Sequence, residues 1–240
     1  MENYIGTSGF SYAPWKDTFY PEKLPASRRL EYYATRFNTL ELNHTFYRFP
    51  LLKTLEKQHD ATPPGFVFSV KAHKVITHTL RMRDAAEKVH DFTRIAEDGL
   101  KDKLGCILFQ LPPSFAYTEE NLHRILESIP PEPRNVVEFR HASWWNETAG
   151  RALQNRRLTF CRVSYPGLPE GPFDAEGEVF YLRMHGVPEL FKSSYAHGAL
   201  ETLAAALPET QRRFVYFNNT MFEAGFRNAL TLRSLSEKKE

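Results

Sequence analysis

The sequence predicts a mixed α/β protein whose parallel strands close into a barrel. Strand-like and helix-like segments alternate along the 240 residues, which is typical of parallel strands joined by helices. Eight segments are strand-like, and six of them carry polar or charged residues on one face. Strands of an open sheet covered by helices on both sides would be apolar on both faces. We therefore predict a single TIM-type (β/α)8 barrel domain over residues 1–240, with a doubly wound open sheet as the alternative.

The predicted strands are short runs in which apolar residues alternate with other residues. They cover residues 4–10, 39–47, 66–73, 105–111, 135–141, 158–165, 179–185 and 214–218. In the third run, for example, Phe68 and Val70 share one face, whereas Lys71 and His73 share the other. The alternation indicates strands that pack one face against helices and turn the other toward the barrel interior.

Helix-like patterns follow most of these strands. They cover residues 27–37, 51–60, 84–102, 119–129, 144–156, 199–207 and 221–236. The start at Asp84, with Glu87 three residues later, has the pattern of a capping box. Residues 166–177 contain three prolines and cannot form an ordinary helix. We expect the helix after the sixth strand to be missing or replaced by a loop.

Composition excludes several classes of protein. The chain is 42% hydrophobic and 25% charged with a formal net charge of +2, so its overall charge does not demand a nucleic-acid partner. No run approaches the roughly 18 apolar residues of a membrane span, and no signal peptide is recognisable at the start. We expect a cytoplasmic protein with no membrane partner, in which Cys106 and Cys161 are reduced and buried.

Polar and charged residues are concentrated near the C-terminal ends of the predicted strands. They are Glu41, Asn43, Lys71, His73, Gln110, Glu138, Arg140, Arg183, His185 and Asn218. Burying an unpaired charge is costly, so charges are uncommon inside strands that do not use them. Ligands of such barrels bind at the C-terminal ends of the strands. We therefore expect these side chains to converge on one site.

Two interpretations of the converging charges compete. In the first, Glu41 and Glu138 pair with Lys71, Arg140 and Arg183 in an internal salt-bridge network. In the second, the three cations bind a small anionic ligand, phosphorylated ligands included. The sequence favours the second interpretation, because the cations outnumber the carboxylates. Asn43, Gln110 and Asn218 would then add hydrogen bonds to the ligand.

Catalysis in this pocket is a further hypothesis. Glu41 or Glu138, tuned by the adjacent cations, would act as acid or base. His73 and His185 would orient the substrate or transfer protons. A non-catalytic ligand-binding protein is the alternative, and the sequence does not separate the two.

Residues in the surrounding loops extend the predicted binding site. The small-residue turn that contains Ser8 would present its hydroxyl and backbone N–H groups to an anion, although a simple tight turn explains it equally well. Tyr47 and Trp144 belong to a set of loop aromatic residues, some of which would pack the barrel mouth while others would stack on a base or a sugar ring. Together with the basic residues between His73 and Arg83, they make a nucleic-acid binding or DNA-repair protein the alternative function.

The sequence predicts neither a metal nor a cofactor. The four candidate ligands at strand ends, Glu41, Glu138, His73 and His185, all have cationic neighbours, which are unfavourable beside a metal ion. The sequence has no His-x-His, no His-Glu-x-x-His and no cysteine pair at metal-binding spacing. Serine in a Gly-x-Ser-x-Gly context is also missing, so a serine nucleophile is not indicated.

The segments that carry these residues resemble the YecE-like family, also called the domain of unknown function 72. The matching motifs are Gly6-Thr-Ser-Gly-Phe-Ser-Tyr12, Phe37-Asn-Thr-Leu-Glu-Leu-Asn43, Phe68-Ser-Val-Lys-Ala-His73, Leu108-Phe-Gln-Leu-Pro-Pro-Ser-Phe115, Glu138-Phe-Arg-His-Ala-Ser-Trp-Trp145, Leu182-Arg-Met-His-Gly186 and Phe217-Asn-Asn-Thr220. The resemblance covers nearly the whole chain. It implies a TIM-type barrel and a pocket at these residues, but it supplies no reaction. Ser164 stands where relatives often have Asp, so an acid at that position has no role in this chain.

Overall fold

Parallel strands form two sheets in the computed structural model, which describes residues 2–169 and 177–237. The strands are β1 Glu2–Thr7, β2 Thr39–Leu42, β3 Val67–Lys71, β4 Leu104–Gln110, β5 Asn135–Glu138, β6 Thr159–Phe160, β7 Arg162–Ser164, β8 Val179–Met184 and β9 Arg212–Phe217. One sheet has the order β1-β9-β8-β7, and the other has the order β2-β3-β4-β5-β6. All pairings between these strands are parallel.

Helices connect most successive strands. In the described part of the chain they are α1 Arg29–Ala34, α2 His44–Tyr47, α3 Leu52–Asp60, α4 Ala86–Leu100, α5 Glu119–Ser128, α6 Glu147–Asn155, α7 His197–Ala206 and α8 Ala224–Glu237. A π-helical segment, Val75–Thr79, follows β3. The predicted absence of a helix within residues 166–177 falls mainly on residues 170–176, which lie outside the described residues.

The second predicted strand is shorter than expected. Residues 43–47 belong to the turn and to α2, so the prediction of a strand there is wrong. The side chain of Thr45 explains the change, because its Oγ1 lies 2.9 Å from the carbonyl oxygen of Leu42 and 2.7 Å from that of Lys71. These contacts turn the chain back and fix the end of β2 beside the end of β3.

The capping box predicted at Asp84 is also wrong. Helix α4 begins after Ala85, and no side chain caps its N-terminus. The φ angle of Asp84 is 47°, in the left-handed region, whereas a capping residue has extended backbone. Met82, also in the left-handed region, is fully buried, and its carbonyl oxygen accepts a hydrogen bond from the Ser128 hydroxyl. Tertiary packing of this turn overrides the local sequence signal.

Alternation along the strands produces two apolar clusters. The larger cluster fills the space between the sheets and the helices and includes Leu40, Val70 and Phe109. The smaller cluster consists of Tyr4, Val67, Cys106, Leu108, Val136, Cys161, Val163, Val179, Tyr181, Phe214 and Tyr216. Its members come from both sheets, and the Tyr216 hydroxyl lies 3.0 Å from the Ser69 hydroxyl of the other sheet. The inner faces of the two sheets therefore contact each other, as the polar and apolar alternation predicts.

Both cysteines are free and fully buried in the smaller cluster. Burial raises the pKa of the Cys106 thiol to about 12, and it raises that of Cys161 well above its usual value. The two thiols are therefore protonated at neutral pH and act as small apolar side chains. The prediction that they are reduced and buried is confirmed.

Side-chain and backbone contacts join the two sheets where β1 passes β2. The backbone N–H of Gly9 donates to the carbonyl oxygen of Glu41 at 2.8 Å. The Tyr33 hydroxyl accepts a hydrogen bond from the backbone N–H of Thr7 at 2.9 Å and donates to the carbonyl oxygen of Thr39 at 3.2 Å. These contacts hold the C-terminal ends of β1 and β2 side by side.

The opposite edges of the sheets are joined by the chain itself. Only Cys161 separates β6 from β7, and its backbone N–H donates to the carbonyl oxygen of Val137 at 2.8 Å. The predicted strand 158–165 is thus divided between the two sheets. The parallel α/β architecture is confirmed, whereas closure into one continuous barrel stays a prediction, because strand pairing defines two separate sheets.

Candidate functional site

A cavity of about 490 Å3 lies at the C-terminal ends of the strands. Strands of both sheets contribute to it, as do the loops that follow them. The lining residues are Tyr12, Asn43, Phe46, Tyr47, Lys71, His78, Gln110, Pro113, Arg140, Tyr165, Arg183, Phe191 and Asn218. Seven of them, Asn43, Tyr47, Lys71, Gln110, Arg140, Arg183 and Asn218, belong to the site predicted from the sequence.

Arg183 lies at the centre of a buried charge network beneath the cavity. Its Nη2 donates to Oε1 of Glu41 at 2.6 Å, and its Nη1 donates to Oε2 of Glu138 at 2.6 Å. Arg183 is 1% exposed, and both carboxylates are 0% exposed. The single guanidinium therefore neutralises part of two negative charges that water cannot reach.

Glu41 has partners for both of its carboxylate oxygens. Oε1 accepts hydrogen bonds from the hydroxyl of Ser8 at 2.6 Å and from Nε of Arg183 at 3.2 Å, in addition to Nη2. Oε2 accepts one from the Tyr181 hydroxyl at 2.6 Å. Burying a carboxylate is tolerable only with such a complete set of donors. This arrangement leaves Glu41 no oxygen directed into the cavity.

Glu138 is shared by two arginines and a histidine. Nε of Arg140 lies 2.5 Å from Oε1 of Glu138, an ion pair whose angles are not those of a hydrogen bond. Nε2 of His185 lies 3.2 Å from the same oxygen. Burial opposes ionisation of this carboxyl, but the guanidinium groups of Arg140 and Arg183 outweigh it and hold the pKa of Glu138 well below its usual range. Glu138 is therefore a permanent carboxylate at neutral pH.

His185 is fully buried behind the cavity wall. Its Nδ1 lies 3.0 Å from the side-chain nitrogen of Asn218, and its Nε2 lies 3.0 Å from Nη2 of Arg140. Burial and the neighbouring charge of Arg140 lower the pKa of His185 to about 3. The imidazole is thus neutral at physiological pH, and it positions Arg140 and Asn218 against the cavity.

Lys71 ends β3 and lines the cavity. Its Nζ lies 4.2 Å from the centre of the Phe46 ring, and no carboxylate of the described residues forms an ion pair with it. Burial lowers the pKa of Lys71 to about 7, and the positive charges of Arg183 and Arg140 act in the same direction. Glu138 and Glu41 oppose this shift without cancelling it.

Arg140 differs from Arg183 in how many of its guanidinium nitrogens have a partner. Nε contacts Glu138 and Nη2 contacts His185, but Nη1 has no partner among the described residues. The face of the guanidinium lies over the Tyr165 ring at 4.3 Å, a cation–π contact that fixes its plane. Arg140 therefore keeps a charged donor group for a ligand.

Amide side chains supply neutral hydrogen-bonding groups at the cavity wall. Oδ1 of Asn43 is buried and has no partner among the described residues. Gln110 donates through Nε2 to the carbonyl oxygen of Leu111 at 2.6 Å, which leaves its Oε1 available. Because unsatisfied buried polar atoms are uncommon in folded proteins, Asn43 marks a position where a ligand donor fits.

Six residues predicted from the sequence do not line the cavity: Glu41, Glu138 and His185 belong to the buried network beside it, and the other three are Trp144, His73 and Ser8. Trp144 is fully buried, with its indole stacked on Phe139 at 4.0 Å and its Nε1 donating to the carbonyl oxygen of Phe115 at 2.6 Å. This aromatic packing removes Trp144 from any ligand. His73 packs against the Phe49 ring instead, and Ser8 is fully buried beneath the site.

Other cavity residues were not predicted as site residues. Tyr165 directly follows β7 on the face of Val163, so strand alternation would have indicated it. His78 lies in the π-helical segment and packs on Phe46, with ring centres 4.9 Å apart. Burial, with Lys71 and Arg140, lowers the pKa of His78 to about 4. Phe191 reaches the cavity through a turn with a φ angle of 65°, which no sequence pattern indicated.

The residues described contain no cluster of three or more His, Cys, Asp or Glu side chains that could hold a metal ion. No helix within residues 2–169 and 177–237 is long and apolar enough to cross a membrane.

The fold and site define a parallel α/β protein with a charged cavity at its strand ends. The chain belongs to the family described as Protein of unknown function DUF72, which it matches over residues 4–240. It is similar to a solved DUF72 family protein from Thermotoga maritima, with a TM-score of 0.88 and 33% identity over 99% of this chain and 100% of that chain. The resemblance inferred from the sequence motifs is thereby confirmed.

Two curated proteins are also similar to this chain. The UPF0759 protein YunF of Bacillus subtilis is 30% identical over 154 residues, which is 60% of this chain and 52% of YunF. The UPF0759 protein YecE of Escherichia coli K12 is 29% identical over 157 residues, which is 65% of this chain and 54% of YecE. The matches span about half the length of these relatives.

Proposed function

We propose that this protein binds a small anionic ligand in the cavity at the strand ends, with Arg140 and Lys71 as the cationic groups. The observation that carries this proposal is the difference between the cations. Arg183 is saturated by Glu41 and Glu138, whereas Nη1 of Arg140 and the ammonium of Lys71 have no anionic partner among the described residues. An anion bound in the cavity would provide the missing negatively charged partner for both groups.

In this proposal the buried network is the support of the site rather than its reactive part. Glu41 and Glu138 have no exposed surface, and hydrogen bonds or ion pairs occupy their oxygens. Neither residue lines the cavity, so neither carboxylate contacts a ligand bound there. We assign to both the neutralisation and orientation of Arg183 and Arg140, and a role as general acid or base is not favoured.

The shape and lining of the cavity suit a ligand that also carries hydroxyl groups. About 490 Å3 is enough for a molecule of several heavy atoms with bound water. Oδ1 of Asn43 and Oε1 of Gln110 are acceptors for ligand hydroxyls. The rings of Phe46 and Tyr165 supply apolar walls beside the two cations.

Three broader expectations remain part of the proposal. The contacts between β1 and β2 and the passage of the chain through Cys161 support a barrel in which both sheets act as one wall around the site. One domain over residues 1–240 and a cytoplasmic location remain predictions from the sequence.

Sulfate provides the simplest test, because its charge is constant between pH 6 and pH 9. We expect sulfate to raise the melting temperature in a saturable manner, by more than sodium chloride of equal ionic strength. Lys71→Met should weaken this effect at pH 6 and have little influence at pH 9, where Lys71 is already neutral. Lys74→Met is the matched control, since Lys74 is exposed three residues after Lys71 and does not line the cavity. Equal responses to sulfate and chloride in the wild-type protein would exclude the proposed site.

The nucleic-acid alternative has less support. Trp144, one of the aromatic residues predicted to stack on bases, is fully buried, whereas Tyr47 is 68% exposed at the cavity rim. Arg81, in the basic loop, is already hydrogen-bonded to Ser114. Phosphate contacts release counterions, so nucleic-acid binding weakens as the salt concentration rises. An affinity for short oligonucleotides with this salt dependence would support the nucleic-acid alternative.

A further inference from the structure

Lys71 has an environment unlike that of the other cations of the cavity. Arg183 contacts two carboxylates and Arg140 contacts one, whereas the Lys71 ammonium lies over the face of the Phe46 ring at 4.2 Å. The residue is held in place from the backbone, because its carbonyl oxygen lies 2.7 Å from the Thr45 hydroxyl. The side chain lines the cavity, and no ion pair with a described carboxylate stabilises its charge.

The protonation state of Lys71 follows from this environment. Its pKa of about 7 means that roughly half of the molecules carry the neutral amine at neutral pH. An ordinary lysine is almost fully protonated there and has no lone pair to donate. Burial beside other cations is the arrangement that activates a lysine as a nucleophile.

We propose that Lys71 forms a Schiff base with a small aldehyde or ketone that also carries a carboxylate or phosphate group. This inference rests on the proposed function, because Arg140 holds the anionic group while the amine of Lys71 meets the carbonyl carbon. The guanidinium stays charged at all physiological pH values, so it continues to bind the anion when Lys71 is neutral.

The bond changes balance without an oxidant or a cofactor. The lone pair of Nζ forms a bond to the carbonyl carbon, and the carbon–oxygen π electrons move to the oxygen. The two amine protons pass to that oxygen, directly or through His78 or water, and the oxygen leaves as water. A carbon–nitrogen double bond replaces the carbon–oxygen double bond. His78 lines the cavity as a neutral imidazole, so it can accept a hydrogen bond from the intermediate.

The chemical class of the ligand follows from the residues around Lys71. Arg140 selects the anionic group, and Lys71 selects the carbonyl. Asn43 Oδ1, a buried acceptor without a partner among the described residues, favours a hydroxyl group on the ligand. A short oxo acid or a phosphorylated hydroxy-ketone combines these features within about 490 Å3.

Reductive trapping tests the proposal with two matched pairs of probes. Pyruvate and dihydroxyacetone phosphate each carry a ketone carbonyl. Lactate and glycerol 3-phosphate carry the same anionic groups but have a hydroxyl group in place of the ketone. Each probe is incubated with the full chain and cyanoborohydride at pH 7, and the modified lysine is located by peptide mass spectrometry. We expect a carbonyl probe to label Lys71 about tenfold or more faster than exposed lysines, because a far larger fraction of Lys71 is neutral.

Variants separate specific from random labelling. Lys71→Arg keeps the charge but removes the amine, and Lys74→Arg makes the same change at an exposed lysine just beyond the end of β3. Labelling of Lys71 should be retained in Lys74→Arg, and labelling at position 71 should disappear in Lys71→Arg. In the wild-type protein, the matching non-carbonyl probe should slow the labelling of Lys71. Circular dichroism and melting temperature establish that both variants are folded.

The outcomes distinguish this inference from the proposed function. If lactate, glycerol 3-phosphate or sulfate raises the melting temperature but no carbonyl probe labels Lys71 faster than surface lysines, the Schiff-base inference is wrong and the anion site stands. If none of these anions stabilises the protein and no probe labels Lys71 preferentially, both are wrong. Preferential labelling that lactate and glycerol 3-phosphate fail to slow would separate the reactive amine from the anion site and overturn the combined proposal.

Discussion

Arg183 and Glu41 form a buried ion pair in which Nη2 and Nε of the arginine approach the same carboxylate oxygen, at 2.6 and 3.2 Å. The two residues belong to different sheets, since Glu41 lies in β2 and Arg183 lies in β8. The pair is therefore a link between the sheets as well as a charge balance. Because of this position, the guanidinium of Arg183 is used to hold the two sheets together and is not available to bind a ligand.

Replacing Arg183 should destabilise the protein strongly. Arg183→Met leaves Glu41 and Glu138 buried with fewer cations, and breaking a buried pair in this way costs about 3–5 kcal/mol. Urea denaturation of wild type and variant measures the difference. Arg227→Met is the control, because the Arg227 side chain is 63% exposed and its ion pair with Glu223 should contribute about 1 kcal/mol or less. Equal losses in the two variants would show that the buried network does not stabilise the fold.

The depressed pKa of Lys71 should make stability depend on pH above neutrality. The folded protein releases the Lys71 proton near pH 7, whereas the unfolded chain keeps it up to about pH 10.5. The unfolded state thus binds more protons in this interval, and the contribution of Lys71 to stability rises with pH, by up to about 1.4 kcal/mol per pH unit. The charged or titratable groups around the amine are Arg183, Glu138, Glu41, Arg140 and His78.

Comparison of wild type with Lys71→Met isolates this contribution. The free energy of unfolding, measured in urea from pH 7 to pH 9.5, should rise relative to that of Lys71→Met as pH increases. Lys74→Met, in which an exposed lysine is lost, should follow the wild-type curve. A constant difference between wild type and Lys71→Met would mean that Lys71 has an ordinary pKa.

His185 should make the protein sensitive to mild acid. Its folded pKa of about 3 lies below the ordinary value of 6.5, so the unfolded chain binds a proton that the folded protein excludes. The stabilising contribution is complete above pH 6.5 and is lost as the pH falls toward 3. His185→Gln should flatten the decline in unfolding free energy between pH 6.5 and 4.5, while His123→Gln, at an exposed helix position, should not. An unchanged slope in His185→Gln would contradict the prediction.

Gly6 should be required for the close approach of β1 to β2. A Cβ at this position would lie 2.5 Å from the carbonyl oxygen of Thr39 and 3.0 Å from the Tyr33 hydroxyl, both of which are held by hydrogen bonds. Gly6→Ala should therefore lower the melting temperature by several degrees. Gly198→Ala, at an exposed position in the first turn of α7 with no atom within 4 Å of the new methyl group, should be neutral or stabilising. Similar melting temperatures for the two variants would show that the strands adjust freely.

The sequence by itself determined the strand segments, their parallel arrangement and most of the residues of the cavity. It could do so because a strand with one polar and one apolar face repeats every two residues, which locates Glu41, Lys71, Glu138 and Arg183 on the inner face. The family motifs lie on the same segments, so both lines of reasoning indicated the same site.

Only the tertiary structure decided which charges pair and which remain available. Sequence spacing places Lys71, Arg140 and Arg183 equivalently at strand ends, yet distances assign the carboxylates to the two arginines and leave Lys71 against an aromatic ring. Burial of Trp144 and the turn that brings Phe191 to the cavity were likewise decided by packing between distant segments. Ion pairing and desolvation depend on three-dimensional separation, which a residue pattern along one strand does not contain.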